Sequence, residues 1–337
     1  MKQDRIRSEV LQLRGNRIAN VSFSDCSKFS KSTLVLLIIL LSSTTNAQNY
    51  IDIFKANYAI SPSNRFDSAG TETHLQEINS DLTLPIKVSD RFAFLTGITY
   101  ENSSATFDPN RGRESVTGIT LKLGANIKHS SKWSGTYMFL PKVSSDLEQI
   151  SNRDFQFGGV VLMKYKKSEH FNYKFGMYAN RELFGIFLVP MFGFYYQDPS
   201  EKFEAKVLLP LSVDLNYSIT KAFRVGLNFN GQVRSYNLNN TPASEDNQYL
   251  AKSANDVYGY LQYGTKKGIN FQLGIGHSVG RSYRIYDEKV SLGVPLAYFG
   301  DDRRQLNDDF SDGWLIKASV FYRLELGGTK DESSKGY

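Results

Sequence analysis

Residues 269–276 read Ile-Asn-Phe-Gln-Leu-Gly-Ile-Gly. Large apolar side chains take the odd positions, and polar or minimal ones the even. Successive side chains of a strand point to opposite faces, so this octet has one apolar and one polar face. The same period recurs from about residue 75 onward. Phe223, Val225, Leu227 and Phe229 alternate with Arg224, Gly226, Asn228 and Asn230, and Ile119, Leu121 and Leu123 with Thr120, Lys122 and Gly124. Abundant Tyr (20) and Phe (23) with scarce Trp (2) and Cys (1) suit β-structure. A soluble sandwich shows the same period, so the meaning of the two faces depends on where the chain is sent.

The N-terminal region supplies an address. Leu34 to Leu41 is the one continuous apolar run. It is too short to cross a bilayer as a helix, which takes about 20 residues. Lys28 and Lys31 precede it, and small polar residues from Ser42 follow. Thr45 and Ala47 occupy the −3 and −1 positions of a cleavage site. This is the layout of a secretory signal peptide. Residues 1–47 are read as an N-terminal extension plus signal peptide, cut after Ala47, and residues 48–337 as one domain. Cys26 precedes the run, so the mature chain has no disulfide. It must be held by a core or by a closed hydrogen-bond network. Of 40 Lys/Arg and 34 Asp/Glu, the first 47 residues hold seven and three, so the remaining 33 and 31 leave about +2. A basic pI is then no argument for nucleic acid.

Strands are predicted near 50–60, 76–88, 91–100, 116–128, 133–143, 155–165, 170–180, 186–197, 203–217, 222–236, 257–263, 269–282 and 313–326. Several run longer than the 5–6 residues usual in globular proteins and match the roughly 9–11 of a tilted membrane strand. Short joints (89–90, 129–132, 166–169, 219–221, 264–268) alternate with long polar ones (61–75, 101–115, 144–154, 237–256, 283–312). Outer-membrane barrels alternate short periplasmic turns and long external loops in this way. The alternation breaks at 181–202, where two short joints follow each other. An even strand number is expected, so the thirteen segments are off by one. Twelve strands are predicted, within a range of 12–14. Trp133, Tyr165, Phe171, Tyr173, Tyr195, Tyr196, Tyr217, Phe223, Tyr236 and Trp314 fall near strand ends, where interface girdles lie. The polar faces carry Lys87, Lys122, Lys128, Lys164, Lys174, Lys206, Arg224, Arg234, Lys317 and Arg323 against Glu77, Asp81, Glu204 and Asp214. Pairing of these charges in a filled or narrow interior is favoured over an open pore.

The chain resembles an uncharacterised family of outer-membrane β-barrel proteins of Gram-negative bacteria. The resemblance rests on Asn180-Arg181-Glu182-Leu183-Phe184-Gly185 followed by Val189-Pro190, and on Phe203-Glu204 running into Leu209-Pro210. Asn216-Tyr217, Tyr236-Asn237-Leu238, Arg284-Ile285-Tyr286-Asp287 and Gly300-Asp301-Asp302-Arg303 add to it. It spans most of residues 75–310 and implies fold and compartment, with no activity attached. The segment 327–337 trails beyond the last strand, unlike barrels that finish on a terminal aromatic.

Signals for chemistry are weak. Of the four histidines, His74, His129, His170 and His277, only His277-Ser278 pairs a base with a nucleophile. Neighbouring strand residues face opposite ways, which separates them. Asp301, Asp302, Asp308, Asp309, Asp312 and Asn307 make an oxygen-rich loop, but Arg303 and Arg304 interrupt it. A solvated or salt-bridged loop is favoured over Ca²⁺. Arg181-Glu182 is read as a pair anchoring a tight loop. No phosphate-cradling or dinucleotide motif is visible. No catalytic, cofactor-binding or metal residue is assigned.

The sequence thus predicts an all-β, transmembrane antiparallel up-and-down β-barrel in the cell outer membrane. The expected role is non-enzymatic, as a narrow porin-like channel or a structural and surface-interaction protein. Its expected partners are outer-membrane lipids, the barrel-assembly machinery and a small solute in the lumen. The alternative is an outer-membrane enzyme or ligand-binding barrel using loops 237–256 and 283–312.

Overall fold

The computed structural model describes residues 50–325 apart from 69, 240–246 and 296. The signal segment with Cys26, the cut after Ala47 and the tail 327–337 lie outside the described residues. Strands form as β1 (Tyr50–Arg65), β2 (Glu72–Lys87), β3 (Phe92–Ala105), β4 (Glu114–Lys128), β5 (Trp133–Ser145), β6 (Phe155–Lys166), β7 (Phe171–Glu182), β8 (Gly185–Gln197), β9 (Phe203–Leu209), β10 (Ser212–Ser218), β11 (Phe223–Asn237), β12 (Tyr249–Gly264), β13 (Ile269–Ser278), β14 (Ser282–Tyr286), β15 (Leu292–Val294), β16 (Ala297–Phe299) and β17 (Trp314–Glu325). Fourteen of them, β1 to β13 and β17, pair antiparallel with their neighbours around a closed ring. The ring is sealed where β17 meets β1, from Ile60 opposite Ile316 to Tyr50 opposite Glu325. The other three lie in the connection between β13 and β17.

The strand number corrects the expected twelve, and the reason is specific. Residues 203–217, expected as one strand, form a hairpin, β9 and β10, of seven residues each. The chain turns at Pro210-Leu211, where the Leu211 amide donates to the Leu208 carbonyl at 2.9 Å. The alternation does not pause there. Val207, Leu209, Leu211, Val213 and Leu215 keep one parity straight through the turn. With the extra turn, the two consecutive short joints at 181–202 resolve into a tight joint at each end of the barrel. The long joints also shrink. β12 begins at Tyr249 rather than 257, and β1 and β2 run to Arg65 and from Glu72. Their polar side chains belong to strands extended beyond the apolar belt.

The faces of the opening octet come out as predicted. Leu273 and Ile275 are 61% exposed on the outer wall, while Asn270 and Gln272 are buried inside. Leu227, Leu261, Phe192 and Phe139 continue the exposed belt. Removing one large apolar side chain from water is worth about 1.5–3 kcal/mol, so a belt this extensive calls for lipid. At the end of the barrel near the termini, Trp133 contacts Tyr165 (ring centroids 5.0 Å), Phe171 contacts Tyr173 (4.8 Å) and Phe223 contacts Tyr263 (5.1 Å). Tyr195 and Tyr236 do not join this girdle. Both point inward and are buried, because their parity is opposite to that of Tyr196 and Leu227 on the outer face.

If the belt faces lipid, Leu273→Arg costs about 2–4 kcal/mol at mid-depth, while Asn230→Asp, on the inner wall, changes stability far less. Urea titration of the protein folded into vesicles measures both. Equal costs at the two positions would contradict the assignment of faces.

Candidate functional site: a chamber inside the barrel

Side chains gather inside the barrel at two heights. Near the termini, Glu204 on β9 gathers side chains from across the ring. Tyr50 on β1 places its hydroxyl 2.6 Å from one carboxylate oxygen. Tyr195 donates at 3.0 Å, Asn216 at 3.0 Å, and the Lys206 ammonium lies at 3.2 Å. Arg323 pairs with Asp52 at 2.7 Å and lays its guanidinium 3.6 Å from the Tyr50 ring centre. Of the predicted lumen cations, Lys206 and Arg323 are thus paired here, and this cluster forms a floor.

At the opposite end, charge gives way to an apolar cap. Glu101 binds Arg234 at 3.0 Å, and Glu77 binds Lys252 and the Tyr283 hydroxyl. Above them Phe66, Leu75, Phe107, Val116, Leu250, Ile285 and Phe310 pack into a dry cluster around Tyr283. The Tyr283 ring stacks on Phe107 and Phe310 at 5.2 and 5.4 Å.

The cap depends on the route of β11. Its neighbour β10 stops at Ser212, opposite Asn230, so residues 231–237 have no strand on that edge. This half of β11 crosses to the far wall, where Asn237 bridges Ser145 of β5. Glu182 receives it. The fully buried carboxylate accepts from the Ser235 amide at 2.9 Å and its hydroxyl at 2.6 Å, with Lys142 at 3.4 Å. The Ser235 carbonyl takes donors from Ser144 (2.7 Å) and Gln156 (3.0 Å), and the Leu183 amide donates to the Ser235 hydroxyl at 2.8 Å. The expected Arg181–Glu182 pair is not formed. Arg181 is exposed on the outer face while Glu182 points inward, by the same parity that separates His277 from Ser278.

The other edge of the break is β8, which pairs with β9 only from Phe192 to Gln197. Beyond that, β15 touches it at Ile186 and Phe187. Between the outer halves of β8 and β11 the wall therefore has no ladder. A chamber of about 730 Å³ lies between floor and cap and reaches this gap. Its lining includes inward residues such as Lys55, Asn228 and Lys317. It also includes Phe229 and Val233, which have the outward parity of β11, and Pro210 and Leu211 at the lower lip.

The remaining candidates have structural partners. His277 packs edge-on against Trp314, and Ser278 is buried on the other face. His129 is exposed in a turn, as expected, and His170 is half-buried in another. In the oxygen-rich loop Asp301 binds Arg303 at 2.7 Å and Asp309 binds Arg284 at 2.7 Å. Asp308 accepts from Ser68, and Asp312 from the amides of Gly280 and Arg281. Asn307 donates to the carbonyls of Phe107 and Tyr283. The loop is salt-bridged and fastens the cap. The Arg303 guanidinium beside Asp301 holds its carboxyl below the ordinary carboxylate range. Sequence reading missed Glu182, Lys55 and Lys142 as interior groups, although parity alone assigns each of them; Ser235 has the outward parity of β11 and is interior only because that half of the strand crosses the lumen.

A family model described as "Domain of unknown function (DUF6268)" matches residues 45–293. The chain belongs to that family. No curated protein matches it. Among solved structures, it is similar to an outer membrane channel of Pseudomonas putida F1 (7% identity, 80% of this chain and 94% of that one, TM-score 0.43). It is also similar to the Pseudomonas putida toluene transporter TodX (9%, 81% and 89%, TM-score 0.35) and the Ralstonia pickettii toluene transporter TbuX (7%, 81% and 89%, TM-score 0.35).

Two outcomes are expected of the cap. Glu182→Ala leaves Lys142 buried without its partner and frees Ser235, at a cost of about 3–5 kcal/mol. Hydrogen exchange then accelerates at the Ser235 and Asn237 amides while β2 and β3 stay protected, and uniform protection would contradict the latch. The Asp301 carboxyl is depressed in the folded state, so its contribution is complete above the unfolded value near 3.9 and is lost as pH falls through the lower folded value. Exchange at Ala297–Phe299 should therefore be flat from pH 8 to 5, after correction for intrinsic rates, and rise only below about pH 4.

Proposed function

We propose that the protein is a non-enzymatic channel of the outer membrane, occluded at its mouth and open toward the side. With the termini on the periplasmic side, as barrels of this class place them, the floor faces the periplasm and the cap faces outward. A solute in the chamber then has its shortest way out through the gap above Pro210-Leu211, at the level of the apolar belt. The observation that carries this reading is the chamber itself, which continues from inward residues to outward ones across an interrupted ladder. A wall serving only as a surface scaffold would have no need of that interruption, which leaves backbone groups of β11 to be satisfied one by one.

The loop-based alternative has less support. Residues 249–256 are strand, and much of 283–312 is committed to closing the cap.

Planar-bilayer recording tests the reading. The wild-type protein should pass only small currents, and Glu182→Ala, which releases β11 from the far wall, should raise conductance several-fold. Absence of current and of solute flux into proteoliposomes from both proteins, each shown folded by faster migration unboiled, would sink the channel.

A further inference from the structure

We infer that the chamber binds an amphipathic organic anion, with its charged group on Lys55 and Lys317 and its apolar body on the β7–β8 wall. The proposal rests on the channel reading for its purpose, but binding is measured without transport. Lys55 on β1 and Lys317 on β17 both line the cavity. Among the described residues neither forms an ion pair. The carboxylate directly across from Lys55, Asp81, is bound by Lys122 and Thr99. Glu77 and Glu101 are likewise held by Lys252 and Arg234. The lining carries four basic and four acidic side chains; with Asp81 neutralised by Lys122 from outside the lining, Asp256 is the one lining carboxylate left outside an ion pair, which leaves two unpaired ammoniums against one carboxylate. Ring faces lie against the ammoniums, Phe321 at 5.7 Å for Lys55 and Tyr258 at 4.9 Å for Lys317, while the carboxylates that act on them, Asp52 and Asp214 for Lys55 and Asp256 and Glu77 for Lys317, stand beyond ion-pair distance.

The wall opposite has another character. In a ring of fourteen strands β7 and β8 lie seven places from β17 and β1, directly across the lumen. There the inward positions are Tyr178, Phe187 and Val189, joined by Leu208 from β9, and all four line the same cavity. Phe187 and Val189 belong to a buried apolar cluster with Leu183, Phe184, Met191 and Val290, against which Tyr178 and Leu208 pack, and this cluster gives the chamber an apolar wall facing the lysines. A ligand with charge at one end and hydrocarbon at the other matches both walls at once. Its sign follows from the surplus of ammoniums.

A second observation favours anions independently. Lys164 and Lys174 sit directly opposite each other on β6 and β7, facing the lumen toward the floor, with no ion pair among the described residues. Like charges in register oppose sheet pairing, and an anion passing between them relieves that cost.

Isothermal titration of the purified full-length protein in neutral detergent tests the site, with 4-phenylbutanoate, 4-phenylbutan-1-ol and 4-phenylbutylammonium as probes. The acid should bind at least tenfold more tightly than the alcohol, and the ammonium most weakly. Lys55→Met with Lys317→Met should erase the preference for acid while leaving the alcohol within about twofold, and Phe187→Ala should weaken acid and alcohol alike. Acid binding no tighter than that of alcohol or ammonium by the wild type overturns the proposal, and this comparison needs no variant. So does a preference for acid that survives loss of both lysines. Preference for acid without any flux supports the site and counts against the channel. Flux without that preference leaves the channel and overturns the site.

Discussion

Within hydrocarbon every backbone amide and carbonyl has to find a partner in the protein, and the seam between β1 and β17 makes this possible. Closing the ring removes the free edge that any open sheet of these strands would have. The outward belt of Leu227, Leu261, Leu273 and Ile275 is tolerable only because the backbone beneath it is already satisfied. The polar inner faces, including the Glu204 cluster and the Arg323–Asp52 pair, are in turn enclosed by the same ring.

The one place where the ladder lapses shows how strong the requirement is. β9 and β10 end early, and the upper half of β11 loses its partner strand. The backbone of Ser235 is then met by Glu182, Ser144 and Gln156, three side chains from three other strands. Buried side-chain donors and acceptors replace a strand, and the replacement carries β11 across the mouth. Closing the mouth and opening the wall are therefore two results of one shortened hairpin.

Much of the architecture was legible in the order of residues. Parity alone assigned the faces of β4, β11 and β13, and joint lengths separated the two ends. Parity also caused the miscount, because Val207 to Leu215 alternate without interruption through a turn. Pro210 and the broken rhythm of joints were the available signals. The Arg181–Glu182 expectation failed for want of a rule applied correctly at His277-Ser278. The chamber was harder to foresee. Lys55, Lys317 and Val189 are far apart in sequence, and their meeting depends on the number of strands in the ring. The outer girdle was only partly legible, since Tyr195 and Tyr196 are alike in composition and differ only in the face they take.

The apolar cap carries a further consequence. In β2, Leu75 is buried inside while Ile78, Leu82 and Leu84 point outward. In β4, Val116 is inside while Ile119 and Leu121 are outside. In β12, Leu250 is inside while Val257 and Leu261 are outside. Along each of these strands the greasy residues exchange parity once. On one side of the exchange the protein hides hydrocarbon from water, and on the other it offers hydrocarbon to lipid. Joined around the barrel, those points trace the waterline at the capped end, written into the chain as a change of phase.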